Sequence, residues 1–213
     1  MKNLYFMTID LGTSYIKAGV YDTEGTCLMI TQSSIHSDNS KPGIFVQRGE
    51  EIFNCVLSCM KRITDTFGEK SKQIAAIGFT GQMAGFMGVD RDWNDITSWS
   101  CSLDTRYVTY AEKQMEKFGN DFLEISGTNA PLMAPKCEWF VTEFPKEAKH
   151  IAKYMLISSY IIGKLGNCKI EDAVVDCSYT TWTGLVDVKK EIWSDELCRK
   201  AGISRDLLPK IVK

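Results

Sequence analysis

Asp10 is placed where a side chain can do chemistry. It ends the apolar run Leu4-Tyr-Phe-Met-Thr-Ile-Asp10, and Leu11-Gly12-Thr13-Ser14 follows before a second run from Tyr15 through Lys17 to Tyr21. A carboxylate at a strand end can hold a hydrated magnesium ion, which prefers carboxylate and water ligands. Gly12 lets the backbone approach a phosphate, and amides in such a turn form an anion-binding nest. The hydroxyls of Thr13 and Ser14 add donors, and Lys17 can send an ammonium toward the same phosphates. Asp, Gly, Thr and Ser are also ordinary hairpin-turn residues, so this segment alone leaves both readings open. No Gly-x-x-x-x-Gly-Lys loop occurs in the chain, which argues against a P-loop mechanism.

Two further segments have the right residue types. In Gly81-Gln82-Met83-Ala84-Gly85, two glycines bracket three side chains at the end of an apolar run. Gln82 can hydrogen-bond a polyol and Met83 can pack on its carbon face; the plainer alternative is a glycine-flanked bend with a core methionine. In Trp99-Ser-Cys-Ser-Leu103-Asp104-Thr105-Arg106, Asp104 can accept protons from sugar hydroxyls or can cap the helix that begins near Tyr107. Arg106 can clamp that carboxylate or a ligand.

These segments need elements to position them. Ile16, Ala18 and Val20 alternate with Tyr15, Lys17 and Tyr21, the two-residue period of a strand. Asp22-Thr-Glu-Gly25 reads as a turn, and Thr26 to Ser34 as a third strand. Three antiparallel strands thus come first with no helix between them, unlike a dinucleotide-binding fold, in which the glycine turn leads into a helix. Ser37 to Gly49 is a polar loop. Glu50 to Phe67 has helical spacing and Gly68 stops it. Ile74 to Phe79 is expected as a short buried strand. Phe86 to Val89 and Ile96 to Trp99 are expected to pair as a hairpin around Asp90 to Asn94. Later helices are expected at 107–118, 121–125, 134–144, 158–165 and 195–201, with a strand at 155–157. A mixed α/β sheet flanked by helices follows.

Composition sets the limits. The chain has 213 residues, 44% of them hydrophobic, and a formal net charge of −2. That is ample for a core, and the scattered Lys and Arg give no basic stripe for nucleic acid. No stretch approaches the roughly 18 uncharged apolar residues of a membrane helix, and Asp10 interrupts the only N-terminal apolar run that could act as a leader. The eight cysteines include no Cys-x-x-Cys pair. Cys55 and Cys59 stand four apart on the expected helix, a spacing that could hold a metal. The plainer expectation for all eight is small apolar fillers in a reduced cytoplasm.

Taken in order, the segments resemble the N-terminal domain of the FGGY carbohydrate kinases, the family of xylulose, gluconate, ribulose and glycerol kinases. The resemblance runs through Ile9-Asp10-Leu-Gly-Thr-Ser14 with Lys17, Gly78-Phe-Thr-Gly-Gln-Met83, Leu103-Asp-Thr-Arg106 and Ser126-Gly-Thr128. It continues through Ala134-Pro-Lys136 with Trp139, Thr183-Gly-Leu185 and Ala201-Gly-Ile-Ser-Arg-Asp-Leu-Leu-Pro209, and so covers essentially the whole chain. It implies a ribonuclease H-like fold of the actin-like ATPase superfamily, and ATP and Mg2+ as cofactors. It also implies Asp10 beside the magnesium and transferred phosphate, Gly12, Thr13 and Ser14 against the nucleotide phosphates with Lys17 as the basic residue there, and Gln82, Met83, Ala84, Asp104 and Arg106 at the sugar.

The sequence departs from the family pattern at two places. Xylulokinases usually read Gln-Met-His-Gly where this chain has Gln82-Met-Ala84-Gly85, so a sugar-contacting imidazole is missing. Ser102 stands where a tryptophan often precedes the aspartate, and Trp99 is the nearest substitute. Family members also carry a second actin-like domain with a general base and most of the adenosine pocket, and nothing here matches either. The expectation is therefore a single N-terminal, sugar-binding domain over residues 1–213, idle without its C-terminal partner and prone to homodimerise through the surface that partner covers. Two rivals are a non-catalytic sugar-binding module and a lobe of another actin-like ATPase; the Gln82–Met83 and Leu103–Arg106 segments argue against the second.

Overall fold

Alternating apolar side chains build the first sheet. In the computed structural model, which describes residues 4–213, the chain opens with strands β1 (Tyr5–Leu11), β2 (Tyr15–Tyr21) and β3 (Cys27–Ser34). The two-residue strand β4 (Val46–Gln47), helix α1 (Gly49–Phe67) and strand β5 (Ile74–Gly81) follow. The chain packs as two compact units. One comprises the residues up to Ser37 with Glu50–Gln82, the other Asp38–Gly49 with Met83–Lys213.

The first unit is a four-stranded sheet in the order β3-β2-β1-β5. β1 runs antiparallel to β2 and parallel to β5, with α1 in the crossover between the parallel pair. Met7, Ile9 and Leu11 of β1 and Ile16, Ala18 and Val20 of β2 form one buried face. Ile52, Val56, Cys59 and Ile63 of α1 are buried too, at the i, i+4, i+7, i+11 spacing that gives a helix one apolar stripe. The Cys59 thiol contacts the Ile16 carbonyl, and the Tyr5 ring meets Phe67 edge-on at 4.9 Å. The Cys55 thiol faces the Ser34 carbonyl, so these two cysteines point at backbone oxygens of different strands. Because side chains alternate across a strand, Thr8, Asp10 and Lys17 lie on the face away from α1. The expected short buried strand is longer and more open than its composition suggests. β5 forms the edge of the sheet, and Ala75 to Gly78 are exposed.

The second unit holds β6 (Met87–Val89), β7 (Trp99–Ser100), α2 (Val108–Asp121), α3 (Met133–Glu143), α4 (Pro145–Ala148), β8 (Lys153–Met155) and α5 (Ile157–Leu165). It closes with β9 (Val174–Asp176), β10 (Val186–Asp187), β11 (Ile192–Trp193), α6 (Asp195–Lys200) and β12 (Lys210–Val212). The expected hairpin around residues 90–94 forms its turn, where the Asp90 carboxylate accepts the amides of Asp92 and Asn94, each at 2.9 Å, but not a continuous ladder. The two flanks meet only at the isolated antiparallel bridges Val89↔Asp95 and Phe86↔Ser100; between them the ladder is interrupted, since the amides of Ile96 and Thr97 both donate to the Gly88 carbonyl. β6 pairs instead with β8, and β7 with β4, which puts a strand inside the expected 37–49 loop. The helix expected at 121–125 is one π-helical turn, Phe122–Ser126, ended by Gly127 at φ 68°. The strand expected at 155–157 ends at Met155, and α5 begins two residues later. The chain end pairs parallel with β9 through Lys210–Val212.

Candidate functional site

The candidate residues fall into two sets, one in each unit. In the first unit, Asp10 stands on β1 directly opposite Lys17 of β2 and beside Thr80 of β5. Opposite charges in such cross-strand register attract, and their Cβ atoms lie about 5 Å apart. Asp10 is half-buried, not the deeply buried acid its apolar run suggests, because it lies on the face that α1 does not cover. The turn after β1 admits only glycine at position 12, where a Cβ would meet the Tyr15 carbonyl oxygen at 2.7 Å. Ser14 accepts the Ile35 amide through its backbone carbonyl, which pins the turn from the far side. At the end of β5, Gly81 adopts φ 131°, and a Cβ there would lie 2.5 Å from the Leu11 carbonyl oxygen. That close approach lets the Gln82 amide donate to Leu11 at 3.0 Å and its side-chain Nε2 to the Gly12 carbonyl at 3.2 Å. Gln82, carried over as a sugar contact, thus also braces the turn expected to meet phosphate.

In the second unit, Asp104 and Arg106 form one tight group. The Arg106 guanidinium donates to the Asp104 carboxylate at 2.9 and 2.6 Å, a bidentate pair, and the Arg106 amide adds a third bond at 3.2 Å. Asp104 is 1% exposed and the Arg106 side chain 30%. α2 begins without a side-chain cap, so Asp104 is not the helix cap considered above, nor is this an ion pair in open solvent. The guanidinium carbon lies 4.6 Å from the centre of the Trp139 ring. Met83 is exposed and Ala84 half-buried. Trp99 does not replace the tryptophan missing at 102 as a pocket wall. It is fully buried against Gly85, where a Cβ would meet the indole at 2.6 Å and the Ser100 carbonyl oxygen at 2.4 Å.

One residue of this region had no role assigned from sequence. Lys136 on α3 is fully buried, and its ammonium donates to the Ser100 carbonyl at 3.2 Å, the Ser100 hydroxyl at 2.8 Å and the Cys101 carbonyl at 2.5 Å. Burial pulls its pKa down from 10.5 to about 8, although Asp104 and Cys101 act in the other direction. Burial also pushes the Cys101 thiol up, so it stays protonated. The signal in the sequence is a lysine within the apolar first turns of a helix, three residues before a tryptophan. A cleft of about 690 Å3 lies elsewhere in this unit, between Asp90, Arg91, His150, Lys153 and Asp206, and contains none of the candidate residues.

Among the described residues no helix is long and apolar enough to cross a membrane, and no group of three or more His, Cys, Asp or Glu side chains could hold a metal. The family profile described as the FGGY family of carbohydrate kinases, N-terminal domain, matches residues 5–213. The chain is 32% identical to the gluconokinase of Bacillus subtilis (strain 168) and 25% identical to the xylulose kinase of the same strain, over 98% of its own length in both cases. It spans only 40% and 42% of the length of those two relatives. The gluconate kinase of Lactobacillus acidophilus superposes with a TM-score of 0.88 at 23% identity, covering 99% of this chain and 42% of that one, so the fold is that of the actin-like sugar kinases. With this match across its length, the chain belongs to the FGGY family of carbohydrate kinases, as an N-terminal domain.

Proposed function

We propose that this chain is the N-terminal domain of a cytoplasmic, ATP-dependent kinase that phosphorylates a hydroxyl of a small polyhydroxylated substrate. The family match over residues 5–213 carries the proposal. A hexonate of the gluconate kind is the first candidate, ahead of a pentulose or a polyol. The higher identity to a gluconokinase supports that order, as does alanine at 84 in place of the histidine usual in xylulokinases.

In the first unit, Asp10 would hold magnesium through water, and the amides and hydroxyls of Gly12, Thr13 and Ser14 would meet the nucleotide phosphates beside Lys17. The donor set suits magnesium, which takes one or two carboxylates and completes its shell with water and phosphate oxygens. The turn suits a phosphate because position 12 leaves no room for a side chain. Bound magnesium–ATP supplies the transferable γ-phosphoryl group and the charge that steadies its transfer.

In the second unit, the Asp104 carboxylate would accept hydroxyl protons of the substrate, with Arg106 holding it in place and reaching substrate oxygens through its exposed edge. Gln82, Met83 and Ala84 would contact the substrate from the strand end. A further domain of the same polypeptide, outside these 213 residues, would supply the general base and the adenosine pocket. Phosphoryl transfer depends on positioning and electrostatics, so these residues alone would turn over no ATP. The test is a panel of gluconate, xylulose, ribulose and glycerol with magnesium–ATP on the intact protein, read as ADP release. Saturable release with one of them supports the proposal. No stimulation by any of them, in a folded protein that binds ATP, overturns it.

A further inference from the structure

Lys136 and Trp139 stand three residues apart on α3, so they share one face of that helix. Both side chains reach the segment that carries Asp104 and Arg106. The Lys136 ammonium directs three hydrogen bonds at Ser100 and Cys101, where the segment begins, and sits 4.6 Å from the centre of the Tyr107 ring, where it ends. The guanidinium that grips Asp104 sits over the Trp139 ring, its carbon 4.6 Å from the ring centre. Between these anchors the backbone is held by the Thr105 amide on the Gly43 carbonyl at 2.9 Å and the Asp104 amide on the Cys101 carbonyl at 3.2 Å.

We propose that Lys136 and Trp139 are positioning residues: one helix face fixes both the backbone of the 100–107 segment and the guanidinium plane of Arg106, and so sets where the Asp104–Arg106 pair presents itself to substrate. The proposal rests on the reading of Asp104 and Arg106 as substrate contacts. A lysine suits this task because only an ammonium brings three donors to one point on a slim stem. It is a poor choice for stability alone, since a buried cation that meets only carbonyls, a hydroxyl and a ring face recovers little of its lost hydration. The Ser100 and Cys101 carbonyls already accept the amides of Phe86 and Asp104, so Lys136 adds a second, charged bond to oxygens that were paired. The charged and titratable groups facing it are Asp104, Arg106, Cys101, Cys137 and Tyr107, and none supplies a carboxylate in direct contact.

Two measurements test the proposal. In the 213-residue chain, hydrogen exchange is followed in Lys136→Met, Trp139→Leu and Trp139→Phe. The first two should lose about tenfold protection at the amides of Asp104, Thr105 and Arg106, while amides of β1 and α1 keep theirs. Trp139→Phe keeps an aromatic face under the guanidinium and should retain most of the protection. In the intact kinase, Lys136→Met and Trp139→Leu should raise KM for the sugar about tenfold and leave KM for ATP within about twofold. If Lys136→Met fails to fold, Trp139→Leu and its phenylalanine counterpart carry the test. Unchanged protection at 104–106 in the folded variants, or equal losses of sugar and ATP affinity, overturns the proposal. If the unaltered intact protein phosphorylates no sugar, the proposed function fails, and the exchange result still decides whether α3 orders the segment.

Discussion

The buried ammonium of Lys136 makes a prediction about stability whose sign runs against the usual picture of a buried cation as a staple. Its pKa falls from 10.5 to about 8 because burial strips its hydration, and the carbonyls around it recover only part of that loss. The unfolded chain, with an ordinary lysine, therefore binds more protons than the folded chain between about pH 8 and 10.5. Stability rises with pH wherever the unfolded state holds the extra proton, so this group's contribution is complete above 10.5 and is lost as pH falls through 8. At about 1.4 kcal/mol per pH unit, the fall amounts to about 3 kcal/mol. The assay is urea unfolding of the wild-type chain and Lys136→Met at intervals from pH 7 to 10.5. Taking the difference between the two removes the opposing contribution of the thiols and phenols that burial raises, including Cys101, Cys137 and Tyr107. The stability of wild type relative to the methionine variant should climb by about 3 kcal/mol across that window and stay level below pH 8. A difference that is flat or declines between pH 8 and 10.5 would falsify the placement of this amine.

Gly85→Ala should destabilise the chain by about 3 kcal/mol, because the new methyl meets the Trp99 indole at 2.6 Å and the Ser100 carbonyl oxygen at 2.4 Å; a thermal midpoint within a degree or two of wild type would contradict that packing. Gly81→Ala should cost about as much by a different route, a φ of 131° reserved for glycine and a clash with the Leu11 backbone, and chemical denaturation reads it. Arg106→Lys in the intact kinase keeps the charge but loses the bidentate grip and the guanidinium contact with the Trp139 ring, so KM for the sugar should rise about tenfold or more; an unchanged KM would show that the fork geometry is not used. Asp10→Asn in the intact kinase should lower turnover roughly a thousandfold with little loss of sugar affinity, and near-normal turnover would remove Asp10 from the phosphate site.

The parts of the fold that could be read from sequence are those with long, regular periodicity. Ile16, Ala18 and Val20 recur at every second position, and 52, 56, 59 and 63 make one helical stripe, so β2 and α1 form where expected. The two- and three-residue strands of the second unit have no period to read. β12 reaches β9 across more than thirty residues of chain, and a run such as Lys210-Ile-Val212 could belong to any edge. The 90–94 turn was legible because Asp90 and Asn94 carry turn chemistry locally. The partners of its flanks were not, because β4 and β8 are chosen by tertiary packing. At the candidate site, Asp104 and Arg106 stand out in the sequence because acids and arginines advertise chemistry. Lys136 passed without a role because a lysine in a helix normally reads as solvated, and only the fold shows its ammonium facing carbonyls.

The glycines around Gln82–Ala84 bear on how this segment meets a ligand. Bracketing glycines at a strand end suggest backbone access, with the missing side chains leaving room for substrate. In the structure both gaps are filled by the protein itself. The hydrogen facing in at Gly81 is what lets β5 close on the Leu11 backbone, and the one at Gly85 is what lets the Trp99 indole pack beneath the chain. Neither position leaves a vacant surface for a ligand to approach. Under the proposed function, recognition in this stretch runs through side chains, and the exposed one among them is Met83, an apolar group suited to the carbon face of a polyol. Under that same proposal, the hydroxyl-reading chemistry falls mainly to Asp104 and Arg106, the bidentate pair beside Trp139. Selectivity among gluconate, xylulose and glycerol should accordingly respond more to changes at 83, 84 and 106 than to any backbone change at 81 or 85 that the fold survives. Exchanging Ala84 for histidine in the intact kinase reads this directly: the ratio of kcat/KM for xylulose to that for gluconate should rise, and a fall or no change would place the discriminating contacts elsewhere.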